Sequence, residues 1–211
     1  HEGIVIIDAG EGFQVRYAQQ RGRMKRAGEP SLLRPNRIAA VALTHGHLDH
    51  TWGLLPFLQT LSLDGRQQPL LVYGPTSTGI LDAINDGGID AAIPSDTASA
   101  ELLNQYRAWF KLGGTSSQLG FPIRWLLGDP RSGRWVEFVD DATNLVWHDA
   151  MPQPDTFQLF RMDSIPTHHS IPSCAWQFSR KESKGSFDRY KAAIAGLSQE
   201  QKKSLSEGND I

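Results

Sequence analysis

The segment Thr44-His45-Gly46-His47-Leu48-Asp49-His50 follows directly on the apolar run Ile38 to Leu43. It gathers three of the chain's 7 histidines with a carboxylate. A short apolar run bounded by turn residues reads as a buried strand, so the histidines begin where a rigid element ends. Imidazole nitrogens and a carboxylate oxygen suit zinc, and also manganese and iron. Neutral imidazole binds such ions near neutral pH with little proton cost. His45 and His47 alternate along extended chain and can project toward one ion, while Asp49 and His50, across the following turn, can reach a neighbouring one. Two ions roughly 3.5–4 Å apart would stabilise both the attacking and the leaving oxygen of a phosphoryl displacement. The competing reading, ordinary loop or core histidines, does not account for so tight a gathering of ligands after a strand.

Other segments repeat the passage from strand to turn to helix. Ile4 to Ile7 is a short apolar run with Asp8 at its carboxyl end, where a carboxylate can accept a hydrogen bond from a ligand histidine. Asp8 followed three residues later by Glu11 also looks like a capping box for a helix over Glu11 to Gln20; the two roles are compatible. Pro69 to Val72 reads as a strand closed by Gly74-Pro75, with Thr76 or Ser77 set to cap a helix through Ile84. Alternation of this kind predicts an α/β fold with function at the carboxyl ends of the strands. From Ser99 to Leu112, the residues Ala100, Leu102, Leu103, Tyr106, Trp109 and Phe110 recur at three and four, an amphipathic helix whose aromatics suit a core or partner contact rather than base stacking. Phe157 to Thr167 is a further candidate strand, ending beside His168 and His169. His148, after the run Asn144 to Trp147, belongs to no motif and reads as structural.

A chain of 211 residues can form one domain with a sizeable core, and no apolar stretch approaches the roughly 20 residues that span a bilayer. Cys174 is the only cysteine, so there is no intrachain disulfide and no CxxC zinc knuckle. With no signal-peptide pattern, a cytoplasmic location is expected. Net charge is only −2, yet Arg16, Arg21, Arg23, Lys25, Arg26, Arg34 and Arg37 face the single acid Glu29 in one stretch. Clustered cations attract a phosphate backbone in a salt-dependent way, although a solvated basic loop would look the same. Gly22, Gly28, Pro30 and Pro35 predict that much of this stretch is a flexible loop. From Ser179 onward the composition changes: Arg180-Lys181-Glu182-Ser183-Lys184 is charged and turn-like, and Phe187 to Ala195 and Ser198 to Leu205 read as two short helices.

The motif His-x-His-x-Asp-His after a strand resembles the signature of the metallo-β-lactamase fold. Asp8-Ala9-Gly10-Glu11-Gly12-Phe13-Gln14 is similar to the Asp-Cys-Gly-Glu-Gly-Thr-Gln opening of the ribonuclease Z family. Gly53-Leu54-Leu55-Pro56, Pro69-Leu70-Leu71-Val72-Tyr73-Gly74-Pro75 and His169-Ser170-Ile171-Pro172-Ser173-Cys174-Ala175-Trp176 resemble further segments of that family in the same order. The resemblance implies a four-layer αββα sandwich, incomplete at the carboxyl end. Residues 1–178 would be the catalytic-domain portion and 179–211 an arm-like helical insertion. It also implies His45, His47 and His169 on a first metal and Asp49 and His50 on a second, with Asp8 supporting a ligand histidine. Adjacent residues of an extended chain point apart, so only one of His168 and His169 can face the ion. The proline and aromatic at matching offsets select His169.

Further implications of the resemblance are two Zn2+ ions, with Mn2+ or Fe2+ as substitutes, and a homodimer. The substrate would be precursor tRNA, cut to release its 3′ trailer, with Asp49 both a ligand and the residue that orients or accepts the water proton. Arg21, Arg23, Lys25 and Arg26, and Arg189, Lys191, Lys202 and Lys203 in the arm, would meet RNA phosphates. Gly196-Leu197-Ser198-Gln199-Glu200 stands where a Gly-Pro motif is common, a departure at the arm. After Ile211 the family pattern would continue with a bridging aspartate and a late histidine, so the second ion is expected to bind weakly to this chain alone, with little or no hydrolysis. Rival readings are another phosphodiesterase or arylsulfatase-like hydrolase of the same fold, and a non-catalytic RNA-binding platform.

Overall fold

Ile4–Ile7 forms β1 and Ile38–Ala42 forms β2, side by side and parallel, with Val5 opposite Ala40 and Ile7 opposite Ala42. All five residues of β2 are buried, which is why this strand reads as an unbroken apolar run: both of its faces are covered. The structure is a computed structural model and describes residues 2–29, 33–97, 99–139, 141–181 and 187–207. β3 (Leu70–Pro75) and β4 (Ile123–Gly128) continue the parallel set, then β5 (Trp135–Val139) and β6 (Asn144–His148) turn antiparallel, for a six-stranded sheet in the order β1-β2-β3-β4-β5-β6. β7 (Phe160–Pro166) and β8 (Cys174–Arg180) pair as a second, two-stranded sheet.

The two-residue period of the strands divides their side chains between two cores. On one face, Val41, Val72 and Leu127 pack with Phe57, Leu58 and Leu61 of α3 (Leu54–Leu63), Ile80, Leu81 and Ile84 of α4 (Thr78–Gly87), and Leu102, Leu103, Tyr106 and Trp109 of α5 (Leu102–Lys111). On the other, Ala40, Ala42, Leu71, Tyr73, Leu126 and Trp135 meet Phe157, Met162 and Trp176. The described residues thus build helices, large sheet and small sheet in layers, an α/β fold. The aromatics of α5 lie in the core, consistent with its amphipathic pattern. α4 is capped by Ser77, whose Oγ accepts from Ile80 N at 3.3 Å. Arg66, only 2% exposed, donates to the carbonyls of Pro35, Ile38 and Pro69 and so ties together the starts of β2 and β3.

Two expectations are corrected near the amino end. α1 spans Phe13–Arg26, its N-cap is Gly12 at φ 72, and no side chain caps it; the Asp8 carboxylate is engaged elsewhere, as described below. Arg16, Arg21, Arg23, Lys25 and Arg26 therefore stand on a helix rather than in a flexible loop. Gly22 weakens that helix by about 1 kcal/mol relative to alanine, but Phe13 and Tyr17 pack edge-on against Phe57 with centroids 4.9 and 5.0 Å away. Arg23, Lys25 and Arg26 also occupy its last turn, where the helix dipole favours cations. Pro30 lies outside the described residues.

The chain divides into two compact units, His1–Ser179 and Arg180–Ile211. In the second, α7 (Arg189–Ile194) is capped by Asp188, which accepts from the N–H groups of Tyr190 and Lys191 at 3.0 Å. α8 (Gln199–Ser206) opens with a reciprocal Ser198–Gln201 capping box. Glu182, Ser183 and Lys184 of the charged turn lie outside the described residues. Among the described residues, no helix is long and apolar enough to cross a membrane.

Candidate metal centre

The site is assembled at the carboxyl ends of β1 and β2. Asp8, the residue after β1, adopts φ 56, a left-handed conformation that Asp tolerates better than most side chains. Its N–H donates to Ala42 O at 3.1 Å, and its carboxylate turns to the loop after β2. Oδ1 accepts from Thr44 N at 2.7 Å, and Oδ2 from Thr44 Oγ1 at 2.8 Å. Oδ2 also lies 2.7 Å from His50 Nδ1. The single hydroxyl proton of Thr44 goes to Asp8, so Oγ1 must accept from His45 Nδ1, 2.9 Å away. That arrangement holds His45 with its proton on Nδ1 and a free lone pair on Nε2, and the carboxylate does the same for His50. In the sequence Thr44 stands in the motif without a role of its own, and the signal for one is its hydroxyl immediately before a candidate metal-binding histidine.

Backbone contacts bring the remaining pieces in. α2 (Leu48–Thr51) is a single turn locked to the loop after β1 by Ala9 N–H to His50 O and Gly53 N–H to Ala9 O, both 2.8 Å. The approach is so close that a Cβ on Gly10 would fall 1.9 Å from the Asp49 carbonyl oxygen. The loop between β7 and β8 is docked by Cys174 N–H to Thr44 O at 2.9 Å, Trp176 Nε1–H to Leu43 O at 3.2 Å, and a bridge pairing His45 with Ser173. His169 rides on that loop.

The three histidines His45, His47 and His169 each offer a ring nitrogen within 4.8 Å of the others. Centroid separations are 4.9 Å for His45–His47, 4.7 Å for His45–His169 and 5.0 Å for His47–His169. His168 is not in this group. His169 Nδ1 faces Ser170, accepting from its N–H at 2.7 Å with its Oγ at 3.0 Å. Burial, and then the neighbouring rings of His50, His47 and His169, hold the His45 pKa below the ordinary imidazole value, which favours the neutral, ligand-ready ring. The exposed Asp49 carboxylate stands 3.6 Å from His50 Nε2. With three imidazoles converging and a His–carboxylate pair beside them, the donor set fits a divalent cation.

Away from the centre, His148 Nε2 lies 3.1 Å from Glu137 Oε2, a carboxylate that Arg124 grips with two bonds of 2.7 Å. On α1, Arg16, Arg23, Lys25 and Arg26 are exposed. Arg21 differs, since it pairs with Asp64 and lies over the Tyr17 ring at 5.5 Å. In the second unit Arg189, Lys191 and Lys203 are exposed and Lys202 is half-buried.

The family model described as Beta-lactamase superfamily domain matches residues 4–111. The chain belongs to this superfamily. Asp8 and the whole His45–His50 motif fall within the matched span, and His169 lies beyond it. Among curated members, the chain is similar to Ribonuclease Z of Pyrococcus furiosus, 32% identical over 129 residues that cover 57% of this chain and 38% of that protein. It is 26% identical to Ribonuclease Z of Aeropyrum pernix over 156 residues, 64% of this chain and 44% of that one. Ribonuclease Z of Lacticaseibacillus casei is 39% identical over 79 residues, 37% and 21%. The chain thus spans less than half the length of these relatives. The crystal structure of the short form of human tRNase Z aligns over 84% of this chain and 54% of its own, at 20% identity and a TM-score of 0.39.

Proposed function

We propose that the chain carries the metal-binding part of a metal-dependent endoribonuclease that removes 3′ trailers from precursor tRNA. The observation that supports it most is the convergence of His45, His47 and His169 within 4.8 Å next to Asp49 and His50, in a chain whose curated relatives are named Ribonuclease Z. His45, His47 and His169 would hold one ion, and Asp49 with His50 would contribute to a second; zinc is the ion this ligand set suits first. When bound, such cations make water acidic enough to act as a nucleophile near neutral pH and offset charge building on a phosphate.

The chain's own residues then have distinct tasks. Asp8 and Thr44 hold the rings of His50 and His45 with Nε2 outward. Asp49, with its carboxylate in solvent, is positioned to accept a proton from water. Arg16, Arg23, Lys25 and Arg26 on α1, with Arg189, Lys191, Lys202 and Lys203 in the second unit, would draw in the phosphate backbone, with affinity falling as salt rises. Arg21, engaged by Asp64, contributes less. Residues 179–211 as an RNA-gripping arm, a homodimer and a cytoplasmic site of action complete the reading.

The test is cleavage of an end-labelled precursor tRNA bearing a 3′ trailer by the whole protein with added zinc or manganese, beside His47→Ala and a small phosphodiester. A single cut after the discriminator base that His47→Ala abolishes supports the reading. An intact precursor beside a hydrolysed small diester replaces it with a general phosphodiesterase.

A further inference from the structure

Gln105 sits in the second turn of α5, a helix that supplies none of the proposed ligands, and is 8% exposed. Its carboxamide Nε2 donates to the carbonyl of Gly46, the residue between His45 and His47, and at 3.0 Å to the carbonyl of Ser99. Both amide protons are thereby engaged. Its Oε1 is buried and has no hydrogen-bond partner among the described residues. An unpaired buried acceptor is unfavourable, and an apolar side chain of the same length would avoid it. What glutamine adds at this position is the pair of N–H donors.

Gly46 also lies against the chain that leads into α5. A Cβ built on it would fall 1.9 Å from the Ala100 carbonyl oxygen and 2.8 Å from the Ala100 carbonyl carbon. The peptide joining two neighbouring histidines is therefore seated against the chain leading into α5 and held there by Gln105. Rotation of that peptide would swing His47 relative to His45, since the two side chains share it as their only connection. Among the described residues, His47 has no side-chain hydrogen bond of the kind that Thr44 gives His45 and Asp8 gives His50.

We propose that Gln105 is a positioning residue of the metal centre, clamping the Gly46 carbonyl so that His45 and His47 are presented to one ion at a fixed angle. The inference rests on the metal-binding reading of His45, His47 and His169. It does not depend on what substrate the protein cleaves.

The experiment is a cobalt(II) titration of the full chain, followed by visible absorption, for the wild type, His47→Ala, Gln105→Met and Gln105→Asn, with thermal unfolding of each metal-free protein. Wild type should bind and His47→Ala should not. Gln105→Met keeps the length and loses the donors; it should fold, yet bind cobalt about 10–100-fold more weakly and give altered ligand-field bands. Gln105→Asn, one methylene too short to reach Gly46, should behave alike and serves if the methionine variant does not fold. A purely structural role would lower the unfolding midpoint and leave affinity and bands of the folded protein unchanged, which overturns the proposal, as does failure of both variants to fold. Absence of cobalt binding by the wild type would overturn the metal reading itself and the inference with it.

Discussion

Asp8 Oδ2 lies 2.7 Å from His50 Nδ1 and joins the end of β1 to a histidine 42 positions later. The same carboxylate accepts from both the N–H and the hydroxyl of Thr44, and Thr44 in turn orients His45. One side chain therefore fixes two imidazoles on separate segments.

Replacing Asp8 by alanine removes the acceptor for Thr44 N–H and leaves a non-glycine residue at φ 56. We expect a loss of about 1–3 kcal/mol in stability, read from urea unfolding without metal, and a larger proportional loss in zinc affinity. Asp8→Asn, which tolerates the left-handed conformation, should lose less stability. Wild-type stability in Asp8→Ala would show that these bonds contribute nothing net.

Gly10→Ala would drive a Cβ to 1.9 Å from the Asp49 carbonyl, a collision between two backbone segments rather than with a flexible side-chain end. The α2 turn must move, carrying Asp49 and His50 with it. We predict destabilisation of at least about 1–3 kcal/mol, the usual scale of overpacking, together with displaced His50 ring resonances. An unperturbed His50 NMR signal would refute this.

Burial acts to raise the Glu137 pKa, but the Arg124 bonds and charge, followed by His148, outweigh it and hold the carboxyl below its ordinary value of 4.5. A depressed carboxylate pKa contributes stability that is present above the unfolded value and is lost as pH falls through the folded one. Stability of the wild type should therefore decline below about pH 4.5 more steeply than that of Glu137→Gln, as measured by denaturant unfolding between pH 7 and 3. Parallel curves would exclude a contribution from this group.

Burial, with the Asp8 charge adding to it, pushes the Cys174 thiol up to about 12. The thiolate is the reactive form, so the native protein should resist alkylation at pH 8 and label fully in urea. Rapid labelling of the native chain would contradict the buried setting. Adding zinc should leave this protection intact, because Cys174 is not in the cluster of His45, His47 and His169.

Much of the site was legible because its signals are local. Ile4–Ile7 and the run starting at Ile38 read as strands from their apolar character, and the spacing His45-x-His47-x-Asp49-His50 announced metal chemistry without any fold. The amphipathic repeat over Leu102, Leu103, Tyr106 and Trp109 likewise marked α5 as a helix with one apolar face for a core or a partner, and the fold places that face in the core. Asp8 was open between capping a helix and supporting a histidine, because both roles use the same carboxylate after the same strand. Only the fold decides between them, by bringing Thr44 and His50 within reach while α1 starts too late for Asp8 to cap it.

The basic stretch reads as loop in the sequence but is helical in the fold, for a related reason. Gly22 weakens a helix locally, whereas Phe57, 35 positions beyond Gly22 along the chain, supplies packing that holds α1 in place. Thr44 and Gln105 carried no periodic signal, since a hydroxyl or carboxamide acquires its task from the partner it meets. The histidine–carboxylate spacing and strand placement are properties of short segments and were determined by the sequence itself. The tautomers of His45 and His50, the gathering of His169 and the seating of Gly46 depend on hydrogen bonds and contacts between distant segments, which exist only once the sheet has set their separation.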